Sequence, residues 1–308
     1  MTSPAARALK SAWQKLQEEK GISVQREGAA ALGVPEAVLQ NAQAGPAVVR
    51  LRPEFAAILR ELPRLGRLMT IVRNDSFVAL PVGTVSDVKL DGTFGQLTGG
   101  PIDVSFDVSR WGSAFALYEE SGHSVRRIFY FFDDCGDSAL RVLLWSRDGQ
   151  AEFDALVEGY RDPRPGDVPT TPRDKADWRS AAEFPAAHRV EDEAPRHTAA
   201  LLETLTATET VVDWIVPAGA SRARYVGPLR GLRTGHRDGW YDAHYPHFNT
   251  RIAAVDTAAL ACLVENGSPV VGLIDGRGRL MCRLAIAPGN EPRSQAAWTA
   301  AVATLFGR

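Results

Sequence analysis

The stretch IDVSFDVSRWGSAFALYE, residues 102–119, returns in altered form as FNTRIAAVDTAALACLVE at residues 248–265. In each copy an alternating run meets a short break and a second apolar run follows, the pattern of two consecutive strands. Working outward, GTVSDVKL (83–90) has a counterpart in GPLRGLRT (227–234), and FYFFDDCGDSALRVLLW (129–145) in VGLIDGRGRLMCRLAI (271–286). AEFDALVEGY (151–160) is echoed by AAWTAAVATL (296–305). Each match is weak alone, but all four keep the same order at a nearly constant offset, which is the mark of an internal repeat. The reading is an α+β chain: a tandem duplication of a unit with a mainly antiparallel sheet and packing helices. Residues 1–160 make the first half with a helical leader, 161–196 a linker rich in proline and charge, and 197–308 the second half.

The leader opens with SPAARALKSAWQKLQEEK (3–20), where Ala6, Leu9, Trp13 and Leu16 recur at helical spacing behind Ser3 and Pro4. REGAAALGVPEAVLQNAQAG then gives two short helical patterns with the outline of a helix-turn-helix. Its second helix has no lysine or arginine to neutralise phosphate, so a packing hairpin is the expectation. A helix over 53–62 follows, and then seven short strand-like segments separated by Asn, Asp and Gly turns.

The chain has 308 residues, enough for two cores, and a formal charge of −2, which offers no electrostatic case for nucleic acid or an anionic membrane. Three cysteines without CxxC spacing make neither a disulfide framework nor a zinc site. No apolar run reaches the ~18 residues of a membrane span, and no signal-peptide core opens the chain. The expected protein is cytoplasmic, with no nucleic-acid partner and no membrane insertion.

Two places carry candidate chemistry. His197 lies in EAPRHTAALLETL, one turn before Leu201 on a helix that Pro195 starts, so its imidazole stands at the mouth of whatever that helix packs on. It suits a metal ligand, or simply a solvated helix start; His188 has no periodicity around it. GWYDAHYPHFNTR (239–251) gathers Trp240, Tyr241, His244, Tyr245 and His247. Aromatic rings mixed with imidazoles suit a flat conjugated ligand that holds a metal, and an aromatic-rich loop lidding the core accounts for the same residues. Aspartate and proline in this stretch point to a loop. Arg126, Arg127, Arg141 and Arg147 could receive an acidic group or serve as solubilising strand-edge charges. Asp133-Asp134 and Asp275-Gly276 read as hairpin turns.

Several stretches together resemble the hemin-degrading factor (HemS/ChuS-like) family, duplicated haem-handling proteins. They are LKSAWQKLQEE, REGAAALGVPEAVL, ILRELPRLGRLMTIVRND, IDVSFDVSRWGSAFALYEE and FFDDCGDSALRVL, then VGPLRGLRT, PHFNTRI, LIDGRGRL and AAWTAAVATLF. The resemblance implies haem as cofactor, held in a cleft of the second half, and a role in iron acquisition. It implies storage, transfer to a haem oxygenase or exchange with a haem transporter, or reductant-driven ring opening.

The family's axial histidine lies on a helix soon after the linker. Trp178 matches the tryptophan ahead of it, but no histidine follows at the corresponding place; the nearest substitute as haem-iron ligand is His197, with His188 the alternative. His244, Tyr245, His247 and Arg251 form the second haem-binding set. The family's propionate-binding arginine falls on Ser105 and its lysine on Glu265, with Arg283 or Arg293 standing for a third basic residue, and the alternative histidine of its first half falls near Ala79 and Leu80. A propionate without a cationic partner forfeits a charge-assisted hydrogen bond worth roughly 1.5–3 kcal/mol. The resemblance therefore allows a pocket rebuilt around Arg224, Arg230, Arg233 and Arg251, or a divergent binding or regulatory module that has lost haem.

Overall fold

The computed structural model describes residues 3–122, 124–163, 165–171, 181–184, 188–235, 237–245, 247–289 and 292–307. Helix α1 (Pro4–Lys20) starts where Ser3 Oγ accepts the Ala6 amide at 3.2 Å, satisfying one of the free amides of its first turn. Helices α2 (Gln25–Ala31) and α3 (Glu36–Ala42) follow. Trp13 is 4% exposed and lies flat on Gly28, with Ala29 and Leu39 completing a small core. α3 buries Glu36, Ala37, Leu39, Gln40 and Ala42, so the 26–44 segment packs inward.

The first half continues with β1 (Val48–Leu51), α4 (Phe55–Arg60), β2 (Arg67–Arg73), β3 (Phe77–Thr84), β4 (Asp87–Asp91), β5 (Phe94–Gly99) and β6 (Ile102–Asp107). β7 (Trp111–Ser121), β8 (Ser124–Asp133), β9 (Ser138–Leu144) and α5 (Gln150–Tyr160) close it. The second half repeats the order: β10 (Arg189–Val190), α6 (Ala194–Ala207), β11 (Val211–Pro217), β12 (Ser221–Pro228), β13 (Arg233–Thr234), β14 (Trp240–Tyr245) and β15 (Phe248–Ala253). β16 (Thr257–Glu265), β17 (Ser268–Asp275), β18 (Leu280–Ile286) and α7 (Pro292–Phe306) complete it.

The two halves exchange strands. One nine-stranded sheet runs β1-β7-β8-β9-β2-β3-β15-β14-β13 and the other β10-β16-β17-β18-β11-β12-β6-β5-β4. Three strands of each half thus finish the sheet of the other, through antiparallel joints in which Val78 faces Arg251 and Ser105 faces Arg222. The duplicated α+β reading holds, and the exchange is a feature that repeats in sequence do not reveal.

The principal core draws on both sheets. Along β6, Ile102, Val104 and Phe106 are buried while Asp103, Ser105 and Asp107 alternate outward, as the two-residue period requires. Trp111 lies 4.8 Å from Phe131 between ring centroids, and Phe77 of the first sheet lies 6.2 Å from Trp214 of the second. Asn74 fastens the sheets together. Its amide donates to Pro217 O (2.9 Å) and Met281 O (2.8 Å), while its oxygen accepts from the Ser76 and Phe77 amides. α6 inserts Leu201, Leu202 and Leu205 into this core. The outer face of the first sheet carries Phe115, Leu117, Tyr130 and Phe132, covered by Ala37 of α3. On the outer face of the second, Phe184 lies against Gly272, where a Cβ would meet the ring at 2.7 Å.

Candidate functional site

The outer face of the second sheet holds the positions to which the resemblance assigns propionate partners. Asp103 and Ser105 of β6, Arg224 of β12, Asp213 of β11 and Arg283 of β18 alternate away from the core. Arg224 grips Asp213 with two hydrogen bonds (2.9 and 2.8 Å) and lies 3.8 Å from Asp103. That hydrogen bonding holds the guanidinium proton more tightly than in free arginine. Arg283 closes onto Glu265 in the same way. Both arginines are therefore neutralised by this chain's own carboxylates. Arg293 is exposed at the start of α7. Trp178 lies outside the described residues.

The stretch 239–251 is a two-stranded ladder, whereas its aspartate and proline had pointed to a loop. β14 pairs with β15 from Trp240↔Ala253 to Tyr245↔Phe248, and β15 pairs onward with β3. That second joint explains the difference: a hairpin marginal by itself becomes the edge of a large sheet. His244 is exposed and its Nδ1 lies 3.1 Å from Asn249 Oδ1 across the ladder. Tyr245, on the opposite face, lies under Arg230 (5.4 Å from Cζ to the ring centre), and the His247 ring stands edge-on to it at 6.4 Å. Arg230 is itself paired with Glu209 at 2.9 Å. Nearby, Tyr225 stacks on Phe248 at 3.7 Å, and burial, reinforced by Tyr245 and opposed by Arg230, pushes its hydroxyl up to about 12. Among the described residues no hydrogen bond or ring contact joins His244 to His247.

Arg251 lies elsewhere, on the outer face of the first sheet. It faces Asp242 at 3.8 Å and lines a cavity of about 420 Å³ between α2 and strands β2, β3, β14 and β15, with Arg26, Arg73, Asp75, Arg237 and Trp240. The strand reading of RLMTIVRN placed Arg73 in β2, and its alternation with the buried Val72 and Asn74 turns it to the outer face, but nothing in that pattern showed that its Nε is buried there beside this cavity.

His197 occupies the first turn of α6, half-buried, its amide donating to Glu193 O at 3.0 Å. Among the described residues its ring makes no hydrogen bond or aromatic contact, while the leucines that follow it enter the core. His188 is exposed just ahead of β10. Three of the four arginines read as possible edge charges have carboxylate partners: Arg126 with Glu119 (3.2 Å), Arg127 with Asp154 (2.9 Å) and Arg141 with Glu36 (2.9 Å).

Comparison with known proteins places this architecture. Residues 33–160 match the haemin-degrading HemS.ChuX domain. Over 136 residues the chain is 31% identical to the hemin transport protein HmuS of Yersinia pestis and, over 136 residues, 30% identical to the hemin transport protein HemS of Yersinia enterocolitica. Its fold superposes on holo-PhuS, a heme-binding protein from Pseudomonas aeruginosa, with a TM-score of 0.81 at 22% identity, over 96% of this chain and 98% of that one. The heme degrading enzyme ChuS of Escherichia coli O157:H7 gives 0.84 at 18% identity, over 98% and 99%. Residues 33–160 belong to the HemS.ChuX domain family. The sequence match covers 44% of this chain and 39% of each curated relative, whereas the fold match runs through both halves.

Haem needs an axial donor and cations for its propionates. This chain supplies the donor type in His197, whose half-buried ring has no partner among the described residues, and in the β14–β15 imidazoles. Cations lie beside that hairpin in Arg230 and Arg251, and they face Glu209 and Asp242 as Arg224 and Arg283 on the outer face of the second sheet face Asp213 and Glu265. The imidazoles fit haem as axial donors, and the cations that could meet its propionates already have carboxylate partners. No helix of the described residues is long and apolar enough to cross a membrane.

Proposed function

We propose that this protein binds haem and passes it on in the cytoplasm, as part of iron acquisition. The observation that carries the reading is the HemS/ChuS-like architecture, continuous through both halves and joined to a sequence match with hemin transport proteins. His197 is the proposed axial ligand; the second set divides between the two faces of the β14–β15 hairpin, Tyr245 beside His247 on one and His244 with Arg251 on the other. A haem oxygenase or a haem transporter is the proposed partner. Binding and hand-over are favoured above ring opening, because the arginines of the second sheet's outer face are tied to Asp213 and Glu265.

The test is a Soret titration of the purified chain with hemin, repeated on His197→Ala and on His244→Ala/His247→Ala. A saturable shift at micromolar hemin that His197→Ala abolishes supports the first ligand, and loss only in the double variant supports the second. Absence of any saturable shift would sink the haem reading. Decay of the Soret band with ascorbate under oxygen would restore ring opening.

A second reading is favoured by the same ion pairs: a binding or regulatory module that has lost haem. It predicts that Glu265→Lys, which frees Arg283 and adds a cation, creates a hemin response absent from the wild type.

A further inference from the structure

The cavity between α2 and the outer face of the first sheet contains an unanswered charge. Of its four arginines, Arg26 is paired with Asp75, Arg237 with Glu27, and Arg251 stands 3.8 Å from Asp242. Arg73 has no hydrogen-bond or ion-pair partner among the described residues, and its Nε is buried. The nearby carboxylates bond other groups. Glu36 accepts from Arg141 and Tyr130, Asp75 is held by Arg26 and Arg279, and Asp256 accepts from Ser76 Oγ at 2.8 Å. Burial, with Arg26 and Arg141 nearby and Glu36 opposing them, lowers the Arg73 guanidinium to about 10, so it remains charged at neutral pH.

A buried cation with no bonded counter-charge is costly, and such a group is kept where something answers it. The walls set the other half of the chemistry. Val24, Ala30, Val78 and the Trp240 ring make the apolar part of a lining that also holds Glu27, Asp75 and Asp256, and its volume of about 420 Å³ lies in the range of small-molecule sites.

We propose that this cavity binds a small organic anion, a carboxylate carried on a flat apolar body, and that Arg73 receives its charge. The carboxylate accepts from the guanidinium, the best matched donor for two oxygens in a plane, and the flat body lies along Trp240 and Val78. The site is built from both halves and from the helical leader, because the exchanged strands bring Trp240 and Arg251 beside β3. It is separate from haem binding at His197 and shares only Arg251 with the second proposed haem ligand set, to which Arg73 does not belong.

The experiment is calorimetric titration of the full chain with benzoate, with acetate and inorganic phosphate as comparison probes. Saturable benzoate binding is expected, at least tenfold tighter than acetate or phosphate. Arg73→Met should weaken it at least tenfold while leaving the hemin Soret titration unchanged. Should Arg73→Met fail to fold, Arg73→Lys, which keeps the charge but loses the planar fork, and Trp240→Leu carry the same test, each with weakened benzoate binding. No benzoate binding, binding no tighter than phosphate, or unchanged affinity in the folded variants would overturn the proposal.

Discussion

Glu36 is 3% exposed and meets a phenol and a guanidinium from strands far away in the chain. Its Oε1 accepts from Tyr130 and from Arg141, whose guanidinium also lies over the Tyr130 ring at 3.9 Å. Burial drives the Tyr130 hydroxyl upward, so it stays protonated and donates. Removing the carboxylate strands Arg141: Glu36→Ala is expected to cost about 3–5 kcal/mol, read by urea denaturation, because an unpaired buried charge is left behind. Asp275 offers a pH handle. Burial raises its pKa, but the Arg279 and Arg277 amides and the Arg279 side chain outweigh that, and the net direction is downward. A carboxylate depressed in the folded state stabilises above its unfolded value of roughly 3.9, and that contribution is lost as pH falls through the folded value. The stability gap between wild type and Asp275→Asn should therefore be full at pH 7 and close as the solution is acidified below about 4. These partners were not legible in the sequence, since Glu36 and Tyr130 are 94 residues apart.

At the scale of elements the sequence was readable where a pattern had length. α1, α5 and strands β2, β3, β7, β8 and β9 lie within a few residues of their expected places. β5, reading FGQLTG, escaped because its glycines break the alternation and its pairing with β4 and β6, not its own composition, holds it extended. The β14–β15 hairpin escaped for the same reason, being stabilised by β3 from the other half. Of the candidate site residues, His197 was placed correctly on a helix start, but the separation of Arg251 from Tyr245 onto opposite faces required the strand register. Docking of the leader is testable at this scale. A Cβ on Gly28 would fall inside the Trp13 ring, so Gly28→Leu should lift α1 from α2. The expected result is a loss of about 1–3 kcal/mol, with faster proteolysis between α1 and α2 and a red-shifted Trp13 emission.

At the scale of the molecule the strand exchange governs. A fragment of residues 1–160 would leave β3 without β15 and β6 without β12, two open edges. Because β15 and β12 are the repeats of β6 and β3, a second copy of the fragment can close both edges by the same joints. The fragment is expected to run as a dimer in light scattering, and a cooperatively folded monomer would contradict this. The repeats were visible in the sequence; the exchange was not, because which edge a strand joins is decided by partners in the other half.

Joining the copies in one chain has a further effect. A symmetric pair must present two identical outer faces, since every substitution appears twice. Tethered copies meet at an effective concentration of order millimolar without needing identity, so each outer face can change alone. Here one face has kept an unanswered Arg73 beside a cavity, and the other has matched Arg224 and Arg283 with carboxylates. The exchanged strands thus make a scaffold in which symmetry of fold is preserved while division of labour between its two sides becomes possible.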